Sequence, residues 1–93
     1  MEQKKQMKQM KPFQFYGDSL KLLRIFFGYT STQLAEKLEC TVSHISMIES
    51  EKHKMSTRNT RTTLELFGMN EEEARQFVKI IETVKGGRNH GGK

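Results

Sequence analysis

Two short apolar stripes, separated by almost no chain, constrain this sequence more than anything else in it. Leu34, Ala35 and Leu38 recur at i, i+1 and i+4, and Ile45 and Ile48 at i and i+3, each the inner face of a short helix. Only Glu39, Cys40 and Thr41 lie between the two segments, so the chain must turn within three residues. The spacing predicts a helix over residues 31–38 and a second helix that starts at a Thr41 cap and runs to about Ser50. Helices so joined cross closely. The crossing calls for a small residue on the first helix, which is Ala35, and branched apolar residues on the second, which are Ile45 and Ile48. An ordinary helical hairpin inside an all-helical bundle would carry the same pattern.

The flanking sequence supplies three more helices. One starts at Asp18 or Ser19 as cap and ends at Gly28. Leu20, Leu23 and Phe27 share one of its faces, while Leu22, Ile25 and Phe26 lie on others, so it is apolar nearly all round. Such a helix needs cover on more than one side, either from the aromatic segment that contains Phe13, Phe15 and Tyr16 or from another subunit. Residues 52–56 read as a polar, basic loop. A helix over about residues 58–67 follows, weakly marked at its threonine-rich start, anchored by Leu64 and Phe67 and ended by Gly68. Asn70 and Glu73 form a capping box for a last helix to about Lys85, where Ala74, Phe77, Val78, Ile81 and Val84 keep a clear helical period. The fold class expected is all-α: residues 1–12 as a flexible basic arm, residues 13–85 as one five-helix domain, and residues 86–93 as a flexible glycine-rich tail.

Composition narrows the function classes. The chain has 93 residues and a formal net charge of +5, a balance that favours a polyanionic partner. No apolar run approaches the ~18 residues of a membrane span, and the lysine-rich start has no apolar stretch behind it as a secretory signal would. The single cysteine, Cys40, fits a reducing cytoplasm and packs in the turn as a small hydrophobe. Cys40, His44 and His53 lack the spacing of a zinc site, so no metal is expected, and His44 stands one step outside the Ile45 face. With no phosphate-cradling glycine loop and no carboxylate pair in a general acid's setting, neither a cofactor nor an enzyme is expected.

Together, Leu20-Lys21-Leu22-Leu23-Arg24, Gly28-Tyr29-Thr30, Leu34-Ala35-Glu36-Lys37-Leu38 and His44-Ile45-Ser46-Met47-Ile48-Glu49 resemble the lambda-repressor-like, Xre/Cro type helix-turn-helix domains. The resemblance covers roughly residues 18–69, without gaps through Glu49. It implies a compact five-helix DNA-binding domain and a cytoplasmic transcriptional regulator, most often a repressor, that binds double-stranded operator DNA as a homodimer. It also implies a partly buried ion pair between Arg24 and Glu49 that joins the first and third helices. Glu49 is then a strut rather than an acid or base.

On this resemblance the third helix lies in the major groove and presents Val42, Ser43, Ser46 and Met47 to the bases. Phosphates would meet Ser31 and Thr32 at the start of the second helix, and Lys52, His53, Lys54 and Arg58 beyond the third. Lys4, Lys5, Lys8 and Lys11 could extend the contact along the DNA, or simply solubilise the arm. The spare apolar residues Leu22 and Ile25, or Ile80 and Val84, offer a dimer interface. Two departures stand out. Glu39 occupies the turn where the family usually has glycine, which implies a strained left-handed residue or a distorted second helix, and Glu51 stands near a second such glycine. Both put negative charge where phosphate is expected. Two rival readings follow: an antitoxin that also clasps a toxin, or a protein-interaction module that kept the fold without DNA binding.

Overall fold

Side-chain oxygens set four of the five helix starts. In the computed structural model, which describes residues 11–91 (the backbone alone for 86–91), the helices are α1 (Asp18–Phe26), α2 (Ser31–Leu38), α3 (Val42–Glu49), α4 (Thr57–Phe67) and α5 (Glu71–Gly91). Thr30 and Gln33 close a capping box on α2, the Gln33 amide donating to Thr30 Oγ1 at 3.0 Å and the Thr30 amide to Gln33 Oε1 at 2.9 Å. Thr41 accepts from the His44 amide at the start of α3, and Ser56 from the Asn59 amide at the start of α4. Asn70 and Glu73 form the expected box on α5, at 2.8 and 3.0 Å. The exception is α1. Neither Asp18 nor Ser19 caps it: Gly17 holds the cap position with no side-chain bond, and Ser19 instead donates from Oγ to the Tyr16 carbonyl at 3.1 Å.

Four helix ends share one closure. Gly28, Glu39, Glu51 and Gly68 each adopt positive φ, and the following amides (Tyr29, Cys40, Lys52 and Met69) donate back to Arg24, Ala35, Met47 and Leu64. Turns of this kind reverse the chain quickly, so the helices fold around a core of Leu20, Leu23, Leu34, Ile45, Ile48, Leu64 and Phe67. Among the described residues there is no strand; the protein is all-α.

The aromatic segment before α1 completes that core rather than covering α1. Phe15 is fully buried, its ring edge-on to Phe13 at 4.9 Å and to Phe67 at 6.1 Å. Its backbone amide donates to Thr60 Oγ1 and its carbonyl accepts from the Met55 amide. Leu22, Ile25 and Phe26 therefore keep their outer surfaces, with Phe26 76% exposed.

Two further expectations are corrected, and the weakly marked start of α4 is located. Residues 52–56 are not polar throughout, because Met55 is fully buried. The threonine-rich start of α4 begins at Thr57, and its Thr60 and Thr63 are buried with their hydroxyls bonded, Thr63 donating to the Asn59 carbonyl at 2.8 Å. Finally, α5 runs past Lys85 to Gly91, although it buries only Ala74 fully, half-buries Phe77, Val78 and Ile81, and leaves Val84 exposed. Of the basic arm, residues 1–10 with Lys4, Lys5 and Lys8 lie outside the described residues, as do residues 92–93 of the tail.

Met55 fills space between the aromatic segment and α4, so truncation leaves a cavity. Met55→Ala is expected to lower unfolding free energy by about 2–4 kcal/mol, measured by urea denaturation; a loss below about 0.5 kcal/mol would contradict its core role.

Candidate functional site

The two sides of α3 have opposite fates. Ile45 and Ile48 are fully buried, whereas Val42, Ser43, Ser46 and Met47 are exposed in a row along the other side. The inner side packs on α2, where Leu34, Ala35 and Leu38 are buried. The alanine removes the bulk that would hold the two helices apart. No element of the described chain covers the Ser43 and Ser46 side.

The helix is held at both ends. At its start Thr41 Oγ1 accepts from the His44 amide at 3.0 Å. At its end Glu49 meets Arg24 of α1, with Arg24 Nε donating to Oε2 at 2.8 Å and Nη2 to Oε1 at 3.3 Å. Arg24 Nη1 also donates to the Tyr29 carbonyl at 2.9 Å, so one guanidinium joins α1, the α1–α2 turn and α3. The side chains are 10% and 12% exposed, which places the pair largely out of water. The Ile48 carbonyl accepts from the Gly17 amide at 2.8 Å, and Tyr16 Oη donates to the Glu51 carbonyl at 2.9 Å.

The basic groups lie beyond that held end. Lys52, His53 and Lys54 are exposed in the loop after α3, and Arg58 is exposed on the first turn of α4. At the start of α2, Thr32 is exposed and Ser31 half-buried. His44 is half-buried on α3, its ring 5.8 Å from that of His53, and the Lys52 and His53 amides both donate to the Met47 carbonyl, which ties the loop back to the helix. The basic loop thus follows directly on the end of α3, while Arg58 stands in a cleft beside the α2–α3 turn with Lys37 and Glu39.

Glu39 takes the first of the two conformations its place in the turn allows. It is left-handed at φ 58 and ψ 44, and α2 keeps its expected length. Glu51 is left-handed as well, at φ 69. A non-glycine residue in this region costs about 1–2 kcal/mol, and the bonds of Cys40 and Lys52 back into the helices offset it. The two carboxylates have different surroundings. Glu39 shares a polar cleft with Lys37 and Arg58. Glu51 turns the other way, toward Gly17, where an added Cβ would stand 3.0 Å from its Oε2. It lines a small pocket with Asp18 and Lys85 there. Lys85 Nζ donates to Asp18 Oδ2 at 2.9 Å, and that hydrogen bond, followed by the Asp18 charge, raises its pKa, with a smaller contribution from Glu51. Cys40 lines the Glu39 cleft, and burial pushes its thiol pKa up.

Of the residues singled out in the sequence, Val42, Ser43, Ser46 and Met47 fall on one open side, and Arg24 and Glu49 meet. Leu22, Ile25, Ile80 and Val84 are exposed. Sequence reasoning missed Tyr16 and Gly17, which grip the end of α3, and Met55, which anchors the basic loop. The apolar alternation of Phe13 and Phe15 around a polar Gln14 is the one signal that could have shown this segment to be extended and half-buried. Among the described residues, no three His, Cys, Asp or Glu side chains gather closely enough to hold a metal ion.

Residues 17–83 match the family described as helix-turn-helix domain. Comparison with curated proteins and with solved structures gives no match.

Breaking the Arg24–Glu49 pair strands a largely buried charge. Arg24→Ala is expected to cost about 3 kcal/mol of stability, and Arg24→Ala with Glu49→Ala to cost less than the sum of the single changes. Denaturant titration of the three variants measures this, and strict additivity would mean that the two side chains are not coupled.

Proposed function

Because the chain belongs to the helix-turn-helix domain family, we propose that it is a sequence-specific, double-stranded DNA-binding transcriptional regulator that represses by occupying a dyad-symmetric operator as a homodimer. The observation that carries this reading is the open side of α3: a helix fixed by α1, α2 and the segment before α1, with Val42, Ser43, Ser46 and Met47 left uncovered. A helix can enter the major groove only if its outer side is free and its axis rigid. Serine hydroxyls accept from or donate to several base edges, and Val42 and Met47 suit a thymine methyl.

Phosphate contacts come from the margin of that surface. Lys52, His53, Lys54 and Arg58 follow the backbone beyond α3, while Ser31 and Thr32 offer hydroxyls and free amides at the start of α2. Glu51 is turned toward Gly17 and shares a pocket with Lys85, away from the α3 row, whereas Glu39 stays exposed in a cleft that also holds Lys37 and Arg58. The dimer would close through apolar surface that the fold leaves bare, either Leu22, Ile25 and Phe26 on α1 or Ile80 and Val84 on α5. The α1 group is favoured, since Phe26, at 76%, is the most exposed of the large apolar side chains among the described residues. The same patch would suit a toxin or another protein partner if the chain were a monomer.

Sequence selection from a random DNA pool, followed by titration across salt, tests the reading. Ser43→Ala with Ser46→Ala is expected to reduce preference for the selected site about tenfold with little change in non-specific affinity. Lys54→Ala should weaken all sequences alike and lower the salt slope by about one. Uniformly weak binding to every duplex at low salt would sink the proposal. Sedimentation equilibrium tests the dimer: Phe26→Glu should yield monomers that bind a half-site but lose the full site's tighter binding. A parent chain that sediments as a monomer would leave the patch to a different partner.

A further inference from the structure

The loop that carries Lys52, His53 and Lys54 is gripped from behind by a segment that lies mostly outside the family match, which begins at residue 17. Four bonds make the grip. The Gly17 amide holds the Ile48 carbonyl at 2.8 Å, and Tyr16 Oη holds the Glu51 carbonyl at 2.9 Å. The Met55 amide donates to the Phe15 carbonyl at 2.9 Å, and Gln14 Nε2 donates to the Met55 carbonyl at 3.0 Å. The Lys52 and His53 amides are bonded to the Met47 carbonyl at 2.8 and 3.3 Å, and the strap adds a pin at each end of the loop, at Glu51 and at Met55, with the three basic residues between. The gripping segment is itself immobilised, with Phe15 fully buried, Phe13 nearly so, and the Phe15 amide bonded to Thr60 Oγ1 at 3.3 Å. Gly17 permits the approach: its φ is +75, and a Cβ would come within 3.0 Å of Glu51 Oε2.

We propose that residues 13–17 are a positioning strap: by pinning Glu51 and Met55 they hold Lys52, His53 and Lys54 in the conformation that meets phosphate. This role rests on the DNA reading above and adds residues that touch no DNA. A loop of free lysines must be ordered when it binds, and each ordered residue costs backbone and side-chain entropy. A loop pinned in the free protein has already lost that freedom, so more of the electrostatic attraction remains as affinity. The strap adds no charge, so it changes affinity without changing the number of counterions released.

The test is a double variant, Gln14→Ala with Tyr16→Phe, which deletes both side-chain pins and leaves Phe13, Phe15 and the Tyr16 ring in place. It is compared with the parent at a temperature where both are fully folded by circular dichroism. The expected result has two parts. Amide hydrogen exchange of Lys52, His53 and Met55 in the free protein speeds up, and affinity for the DNA selected from a random pool falls about five- to tenfold with an unchanged salt slope. Unchanged exchange and affinity overturn the role. A salt slope lower by about one would mean that Tyr16 or Gln14 is itself a phosphate contact, which also overturns it. A parent that binds no duplex removes the DNA reading and this role together, whereas a parent that binds and a variant that binds equally well removes this role alone.

Discussion

One guanidinium sets the geometry on which the rest of the molecule depends. Arg24 leaves the inner side of α1, reaches Glu49 with two nitrogens and gives a third to the Tyr29 carbonyl. The planar fork matters, since an ammonium could not bond both carboxylate oxygens and a main-chain carbonyl at fixed angles. Burying an ion pair is not in itself strongly stabilising, because desolvation cancels much of the attraction. What the pair supplies is direction. The last turn of α3 cannot rotate about its axis without breaking two bonds, and the row from Val42 to Met47 keeps its heading. The Thr41 cap and the Ala35 crossing constrain the other end of the same rod.

Left-handed residues flank that rod at Glu39 and Glu51. Glycine would be less strained at either place. The backbone accepts the strain because both are turn residues whose next amide closes a bond back into the helix just ended. Their side chains are then free to serve the surroundings. Glu39 shares a cleft beside the turn with Lys37 and Arg58, and Glu51 faces the middle of α5. Glu51 is thereby turned away from the exposed row of α3, through backbone geometry that no charge count reveals, while Glu39 keeps its carboxylate near Arg58.

What could be read in advance, and what could not, divides by the range of the interactions. Residues 31–38 and 42–49 announced themselves because their stripes and caps are local: Leu34 and Leu38 are a turn apart, and Thr41 caps its own neighbour. The Asn70–Glu73 box was legible for the same reason. Met55 was not, because it stands among Lys54, His53 and Ser56, and only its pairing with Phe15, far back in the chain, takes it inside. Thr60 and Thr63 read as weak helix formers, whereas their hydroxyls are used by the Phe15 amide and the Asn59 carbonyl. The outward side of α3 followed from period alone. The grip of Tyr16 and Gly17 on the end of α3 did not, since it joins two segments that only the folded chain brings together.

The exposed row also bears on how discrimination would be achieved. Val42, Ser43, Ser46 and Met47 include no arginine to fork onto guanine and no amide side chain to bracket adenine, the pairings that separate one base from another most sharply. Hydroxyls and methyl contacts discriminate less per residue. A surface of this composition can still be selective in two ways: by doubling itself across a dyad, so that modest preferences add over two half-sites, and by holding its phosphate contacts rigidly enough that sequences which cannot adopt the required backbone path are rejected. Rigid phosphate contacts need a loop already fixed before the duplex arrives. On the proposed reading, a strap that pins both ends of the basic loop and an exposed row of small, adaptable groups would be two parts of one strategy, in which shape carries what base-specific side chains do not.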